Sequence, residues 1–428
     1  MKINSNIYQL IEELYPITRS ITGEGVVQTL ETIQKHIPLK NYTVASGTKV
    51  FDWTVPDEWN IKDAYVKDSK GNKVIDFKKN NLHIVNYSSP IKAKMFLEEL
   101  KAHLFSLPEK PDWIPYRTSY YEKSWGFCLS HNNLRKFKKG QYEVVIDSSL
   151  KKGNLTYGEL YIKGKTDDEV LISTHICHPS LANDNLSGIA IATFLAKEIL
   201  SRKRHFSYRF LFIPGTIGSI VWLSLNEKQT KKIKYGLVLT GIGDSGSITF
   251  KKSRRGNNEI DKVAEYVLKN SKVPYSTIDF YPFGYDERQY CSPGFNLPVG
   301  TFMRSKHGTY PEYHTSGDNL DFIKPASLSD SLEKLVSVIN IIEINKTFIN
   351  LYPKCEPQLG KRGIYKAMNT VGEEKAKLQM AILWVLNLSD GNNSLLDIAE
   401  KSDIGIGLIN DASTILLKNK LLKEVKNV

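Results

Sequence analysis

The segment 171–188, LISTHICHPSLANDNLSG, constrains this chain more than any other stretch. An apolar run from Val170 to Ile172 predicts a buried strand that delivers His175 and His178 at its end. A short loop then presents Asp184, and Ser187-Gly188 opens an apolar stretch that reads as a helix. Two imidazoles and a carboxylate around one strand-to-helix junction suit zinc, which accepts N and O ligands in such sets. The place is also right, because open α/β sheets bind ligands beyond the carboxyl ends of their strands. The competing reading is a polar loop in which one histidine satisfies a helix end.

The pattern downstream alternates. Helices are predicted near 188–201, 259–270 and 327–342, and strands near 208–213, 235–240 and 299–303. This implies an α/β fold with a mixed, mostly parallel sheet flanked by helices. Upstream, residues 5–45 carry apolar positions at helical spacing (Ile7, Leu10, Ile11, Leu14, then Val27, Leu30, Ile33). From Gly47 to about Leu129 the texture becomes aromatic and β-branched, with Gly71-Asn72 as a turn, and strands follow at 142–146 and 155–163. After Pro353, helices at 378–388, 394–401 and 406–418 and a strand at 421–425 resemble a winged helix. The expected domains are 1–46 with 135–352 as the α/β domain, 47–134 as an inserted β-rich domain, and 353–428 as the winged helix.

Composition narrows the class. At 428 residues the chain exceeds what one core usually serves. No apolar run is long enough for a transmembrane helix, and the N-terminus lacks a signal peptide's apolar core. Four widely spaced cysteines (Cys128, Cys177, Cys291, Cys355) form no CxxC pair, which fits a reducing cytoplasm. The net charge of +12 comes mostly from scattered lysines and reads as solvated surface. Sequence-independent nucleic-acid binding needs basic residues facing phosphates. The helix 406–417 has none and carries Asp411, so a dimer or interdomain contact is the expected use of that domain.

Several longer motifs point to a family. They are FDWTVP from Phe51, IPYRTSYY from Ile114, WGFC from Trp125, CHPSLANDNLSG from Cys177, DERQYCSP from Asp286 and YHTSGDN from Tyr313. In these the chain resembles a bacterial aminopeptidase-like subfamily of the zinc aminopeptidase superfamily, over nearly its whole length. That subfamily carries a β-rich inserted domain of unknown function and a C-terminal winged helix. The resemblance implies a zinc-exopeptidase-like α/β sheet. Subfamily members often lie among genes for surface polysaccharide synthesis, so the resemblance leaves a peptide, an amino-acylated sugar or another amide open as substrate.

The superfamily's site has five ligands: a His after a strand, a bridging Asp, a Glu, an Asp and a late His. By resemblance His175 matches the first, Asp184 the bridging carboxylate and His314 the last. His178 competes with His175, because only nine residues separate His175 from Asp184. Otherwise His178 is a partner of the ligands or a substrate contact. The other two ligand positions hold Thr216 and Thr240. Three ligands with an open fourth position imply one zinc. The general-base Glu is replaced by Gly215, so another carboxylate must take the proton, or hydrolysis is slow or lost. Asp286, Glu287 and Glu312 are the candidates, and by resemblance a carboxylate at Asp286 or Glu287 docks the substrate's free amine. Arg288, Gln289, His178 and Tyr313 are the expected substrate contacts. Asp244 reads as a turn residue or a substitute ligand. Tyr290, Tyr310 and Tyr313 read as packing or as oxyanion donors, and Cys177 as a small buried residue.

These residues support two functions: a cytoplasmic single-zinc hydrolase cleaving an amide next to a free amine, or a zinc-containing binding or assembly protein. A small peptide or amino-acylated substrate and a homo-oligomer are the expected partners.

Overall fold

The computed structural model describes residues 2–364 and 373–425. The chain forms two compact units, Met1–Leu335 and Val336–Val428.

The first unit is built on an eight-stranded mixed sheet. Its strands are β1 (Lys40–Ala45), β2 (Asn154–Ile162), β3 (Glu169–His175), β4 (Ser207–Ile213), β5 (Ile233–Leu239), β6 (Ile248–Lys251), β7 (Tyr275–Ile278) and β8 (Val299–Met303). They are ordered β1-β2-β4-β3-β5-β8-β6-β7. The central strands β4, β3, β5 and β8 run parallel, and β1 and β2 extend one edge antiparallel. Every residue of β3 and β4 is buried, as expected for strands covered on both faces. Helix α1 (Gly188–Leu200) follows β3 and is apolar on nearly all sides, so it is buried along most of its length. Its first residue must be glycine, because a Cβ there would lie 2.7 Å from the Leu239 carbonyl oxygen at the end of β5. Helix α2 (Ile217–Leu225) follows β4 and adds Ile217, Ile220, Val221 and Trp222 to the core.

A buried ion network fastens three of these strands. The Arg209 guanidinium on β4 donates to both Glu169 oxygens on β3, at 2.7 and 2.9 Å, and also pairs with Glu159 on β2. Trp222 Nε1 donates to the other Glu159 oxygen at 2.9 Å.

A second, four-stranded antiparallel sheet comprises Lys73–Asp76, Glu58–Lys67, Gln141–Lys151 and Ile91–Phe96, in that spatial order. Ala64, Val66, Ile75, Met95, Val144 and Ile146 pack together on one face of it. From this region the segment around Tyr116 reaches the main sheet's loops. Tyr116 N–H donates to the His314 carbonyl and Ser316 N–H to that of Ile114, both at 2.8 Å.

The second unit has a three-stranded sheet with Thr347–Asn350 between Asp390–Ser394 and Leu422–Glu424, and helices Glu373–Leu388, Leu395–Ser402 and Ile406–Lys418. Ser394 caps the second helix in a reciprocal box with Asp397. Ile382, Val385, Leu396, Ile409 and Leu416 fill its core. The α/β sheet and the winged helix are therefore as the sequence pattern implies.

Some elements differ from the sequence reading. Helical spacing persists in 5–45 only as far as Gln34, and Lys40–Ala45 is an edge strand whose residues are mostly exposed. Pairing with β2 decides its conformation, which a periodicity argument does not register.

Glu169 is 1% exposed, so removing its cation leaves a buried charge without a counterion. Arg209→Met is expected to cost about 3–5 kcal/mol of stability, read by urea unfolding; a loss under about 1 kcal/mol would contradict the network's role.

Candidate metal centre

The end of β3 and the loop after it build one cluster. His175 Nε2 lies 3.0 Å from Asp184 Oδ1 and 3.2 Å from His178 Nδ1. His178 Nδ1 is 3.5 Å from Asp184 Oδ2, and His314 Nε2 is 3.1 Å from that same oxygen. His175, His178 and Asp184 are all buried, with ligand-capable atoms within 4.8 Å of one another. His314 is about one-third exposed and arrives from a loop far along the chain.

The loop is held from behind. Asp318 accepts from the backbone N–H groups of Asn183 at 2.6 Å and Asp184 at 2.9 Å. Asn185 donates to Thr174 Oγ1 at 2.8 Å and to the His175 carbonyl at 3.1 Å, and accepts from Gly241 N–H at 3.2 Å. Asn183 donates to Asp244, whose oxygens also accept from Ser305 and Gly246 N–H; Asp244 thus organises a turn. Three non-glycine residues here, Ser180, Thr216 and His314, have left-handed backbone with φ of 45°, 63° and 53°. Such strain tends to gather at functional sites.

The electrostatics favour lone-pair donors. Burial pulls the His175 imidazole down to about 3 despite the neighbouring Asp184, so the ring is neutral at physiological pH. Burial alone would raise Asp184, but His178 and the hydrogen bonds from His175, His178 and His314 outweigh it and hold the carboxyl well below its ordinary range. A neutral imidazole at His175 beside an ionised carboxylate at Asp184 is a donor pair that suits a divalent metal.

The remaining predicted residues are dispersed around this cluster. Asp286 is fully buried; its Oδ1 accepts from Thr216 N–H at 2.6 Å and Ser219 Oγ at 2.9 Å, and its Oδ2 has no hydrogen-bond partner among the described residues. Burial pushes its carboxyl up to about 7. Glu287 is not directed at the cluster: it forms a buried ion pair with Lys251 at 2.6 Å and accepts from Tyr285 N–H. Glu312 is half-buried, and its carbonyl accepts from Thr315 N–H and Oγ1. Arg288 is exposed and Gln289 half-buried, on the turn Glu287–Tyr290. Tyr313 stacks on His314 with ring centroids 4.0 Å apart. Thr240 Oγ1 lies 3.1 Å from His307 Nε2. Cys177 is buried, and Gly215 N–H donates to its Sγ at 3.3 Å.

Sequence reasoning missed Tyr116, Tyr285 and His307. The Tyr116 ring sits edge-on to His178 and His314, at 5.0 and 5.1 Å between centroids. It lies in the IPYRTSYY motif, which was legible as a family mark but not as part of the site.

A family profile described as a domain of unknown function (DUF4910) matches residues 8–345. The chain belongs to that family. A winged helix-turn-helix profile matches residues 346–424. A Clostridium acetobutylicum relative, named for polysaccharide biosynthesis and an aminopeptidase-like domain, is 55% identical over 98% of this chain and 96% of its own length. A crystal structure from Clostridium acetobutylicum, described as that of a peptidase, is similar at 54% identity and TM-score 0.92, covering 99% of this chain and 97% of that one. BSAP, a zinc aminopeptidase from Bacillus subtilis, shares the fold at 14% identity and TM-score 0.57, over 79% of this chain and 94% of its own. The resemblance to the zinc aminopeptidase fold therefore holds.

A carboxyl whose pKa is raised by folding costs nothing below its unfolded value near 4. It then opposes folding increasingly as pH rises to about 7, and evenly above that. Asp286→Asn lacks this penalty. Between about pH 4.5 and about pH 8 the stability difference should move in the variant's favour by urea unfolding, and a pH-independent difference would refute the shift.

Proposed function

We propose that this protein is a single-zinc, aminopeptidase-like hydrolase that cleaves an amide bond next to a free amine. The convergence of His175, His178 and His314 on the buried Asp184 carries this reading. His175, Asp184 and His314 would hold the metal, with His178 either supporting them or taking the place of His175. When bound, zinc would supply Lewis acidity and lower the pKa of water at the site.

The chain's own residues would do the rest. Asp286 accepts the proton that Gly215 cannot, since one of its oxygens has no partner among the described residues and its carboxyl lies at about 7, near working pH. Of the Asp286–Glu287 pair read as the dock for the substrate's ammonium group, Asp286 is the member left for that part, because Lys251 claims Glu287; Glu312 stays the alternative acceptor of the proton. Arg288 and Gln289 meet the far side of the substrate, and Tyr313 borders it through its stack on His314. Glu287 serves the loop rather than the reaction, because Lys251 neutralises it. Among the described residues no helix is long and apolar enough to cross a membrane; the cytoplasmic place belongs to the proposal.

A second reading, a zinc-containing binding or assembly protein linked to surface polysaccharide synthesis, draws on Gly215 and on the relative's name. The two separate experimentally. Purified protein should contain zinc by elemental analysis, and Asp184→Ala should lose it; a clean protein without zinc would sink both readings. Zinc-dependent hydrolysis of aminoacyl p-nitroanilides, reduced about 10²–10⁴-fold by Asp286→Asn, supports the hydrolase. A zinc-loaded protein inert toward peptides and aminoacyl amides supports the binding protein.

A further inference from the structure

Three aromatic side chains stand exposed on one hairpin and the segment beside it, outside the metal cluster. Lys49–Val50 and Trp53–Thr54 pair through Val50 and Trp53, which leaves Phe51 and Asp52 as a two-residue turn. Phe51 has φ of 55° and is 53% exposed. Turns of this kind with left-handed backbone at the first central position normally take glycine there. Tyr121 repeats the pattern, with φ of 67° and 49% exposure. Trp53 is 37% exposed, and its ring lies 5.4 Å from that of Tyr121 at 68°. Phe51 meets Phe295 in the same edge-on manner, 5.8 Å apart at 67°.

The fold gains little from these rings. A left-handed backbone disfavours any residue with a Cβ, and a half-exposed ring recovers only part of its burial energy. Strained residues of this kind gather where a ligand is met. Phe51 and Trp53 belong to FDWTVP, a motif that the metal cluster does not use, and Tyr121 ends IPYRTSYY.

The rings connect inward. Tyr121 neighbours Tyr120 at 6.5 Å between centroids, Tyr120 Oη is 3.1 Å from Tyr116 Oη, and Tyr116 borders His178 and His314. Tyr285 adds a further wall. Its ring lies 3.8 Å from the His175 imidazole between centroids, and a Cβ built on Gly215 would lie 2.1 Å from its Oη. It is anchored through its N–H to the Glu287 carboxylate, which Lys251 holds. Tyr120, Tyr285 and Phe295 all pack on one apolar cluster.

Size and chemistry select the occupant. An aromatic side chain offers about 150–250 Å², so the exposed parts of the three rings amount to roughly 200–350 Å². A stable protein partner covers about 800 Å² a side, and an aliphatic side chain calls for an enclosed pocket. A sugar ring fits both the area and the surroundings. It has a face of C–H groups, which the negative face of an aromatic ring attracts. Its hydroxyls lie around the edge, where exposed Asp52 and Glu122 offer acceptors.

We propose that Phe51, Trp53 and Tyr121 form a platform on which the substrate lays a sugar ring, so that the amide presented to the cluster is that of an amino-acylated sugar. The substrate assignment rests on the hydrolase reading above; the sugar site stands without it.

The test uses saturation-transfer NMR on the full-length protein with three probes, N-glycylated glucosamine, galactosamine and mannosamine. Ring C–H protons of at least one probe should receive saturation from the wild type. Trp53→Ala and Phe51→Gly should weaken its binding about 3- to 10-fold at unchanged zinc content. Phe51→Gly should also hold or raise the melting temperature, by up to about 3 °C; a fall would make the ring a packing residue and overturn its part in the platform. No transfer with any of the three probes, or equal affinity in both variants, would overturn the proposal. If Trp53→Ala instead dissociates a dimer and no sugar binds, the patch is a contact between copies and the proposal falls. A protein without zinc that still binds the sugars keeps the platform and loses the hydrolase reading. A zinc-loaded, amide-cleaving protein that binds none of them loses the platform alone.

Discussion

A carboxylate taken out of water is tolerated only where surrounding groups replace its hydration, and Asp184 is 1% exposed at the end of a central parallel strand. Its oxygens meet His175, His178 and His314, and its backbone N–H is held by Asp318. Each of those neighbours requires something of the fold. His175 needs a fully buried strand to bring it inside, His314 needs a distant loop to return across the sheet's edge, and Asp318 needs its own burial, which pushes its carboxyl up to about 8. The sheet order, the helix entry at Gly188 and the left-handed turn at His314 are consistent with that single requirement.

What could be read beforehand follows the same physics. A strand covered on both faces must be apolar throughout, so β3 and β4 announced themselves, and with them the end at which His175 emerges. The winged helix was legible because its helices carry caps and periodic apolar positions, as at Ser394. The short strands Ile248–Lys251 and Tyr275–Ile278 left no such trace. Four residues supply too little pattern, and their pairing with β8 and with each other decides them.

The site was legible in its ligands and obscure in its surroundings. Histidines and an aspartate at a strand end are a chemical signal, since those residue types seldom gather by chance. A tyrosine carries no comparable signal in a chain with 22 of them. Nothing local told that the loop segment carrying Tyr116 would border His178, or that Glu287 would be claimed by Lys251 rather than by the pocket. Long-range partners decide these roles, and a single sequence leaves them unwritten.

The tight fit of Gly215 against Tyr285 has an evolutionary corollary. An ancestor with an acid at 215 could reach the present state by losing that side chain first and letting the ring settle afterwards. The return path is harder: any replacement of the glycine collides with an anchored neighbour, and loss of the ring alone leaves a void beside the imidazoles. Each single step back is penalised, so the arrangement works as a one-way ratchet.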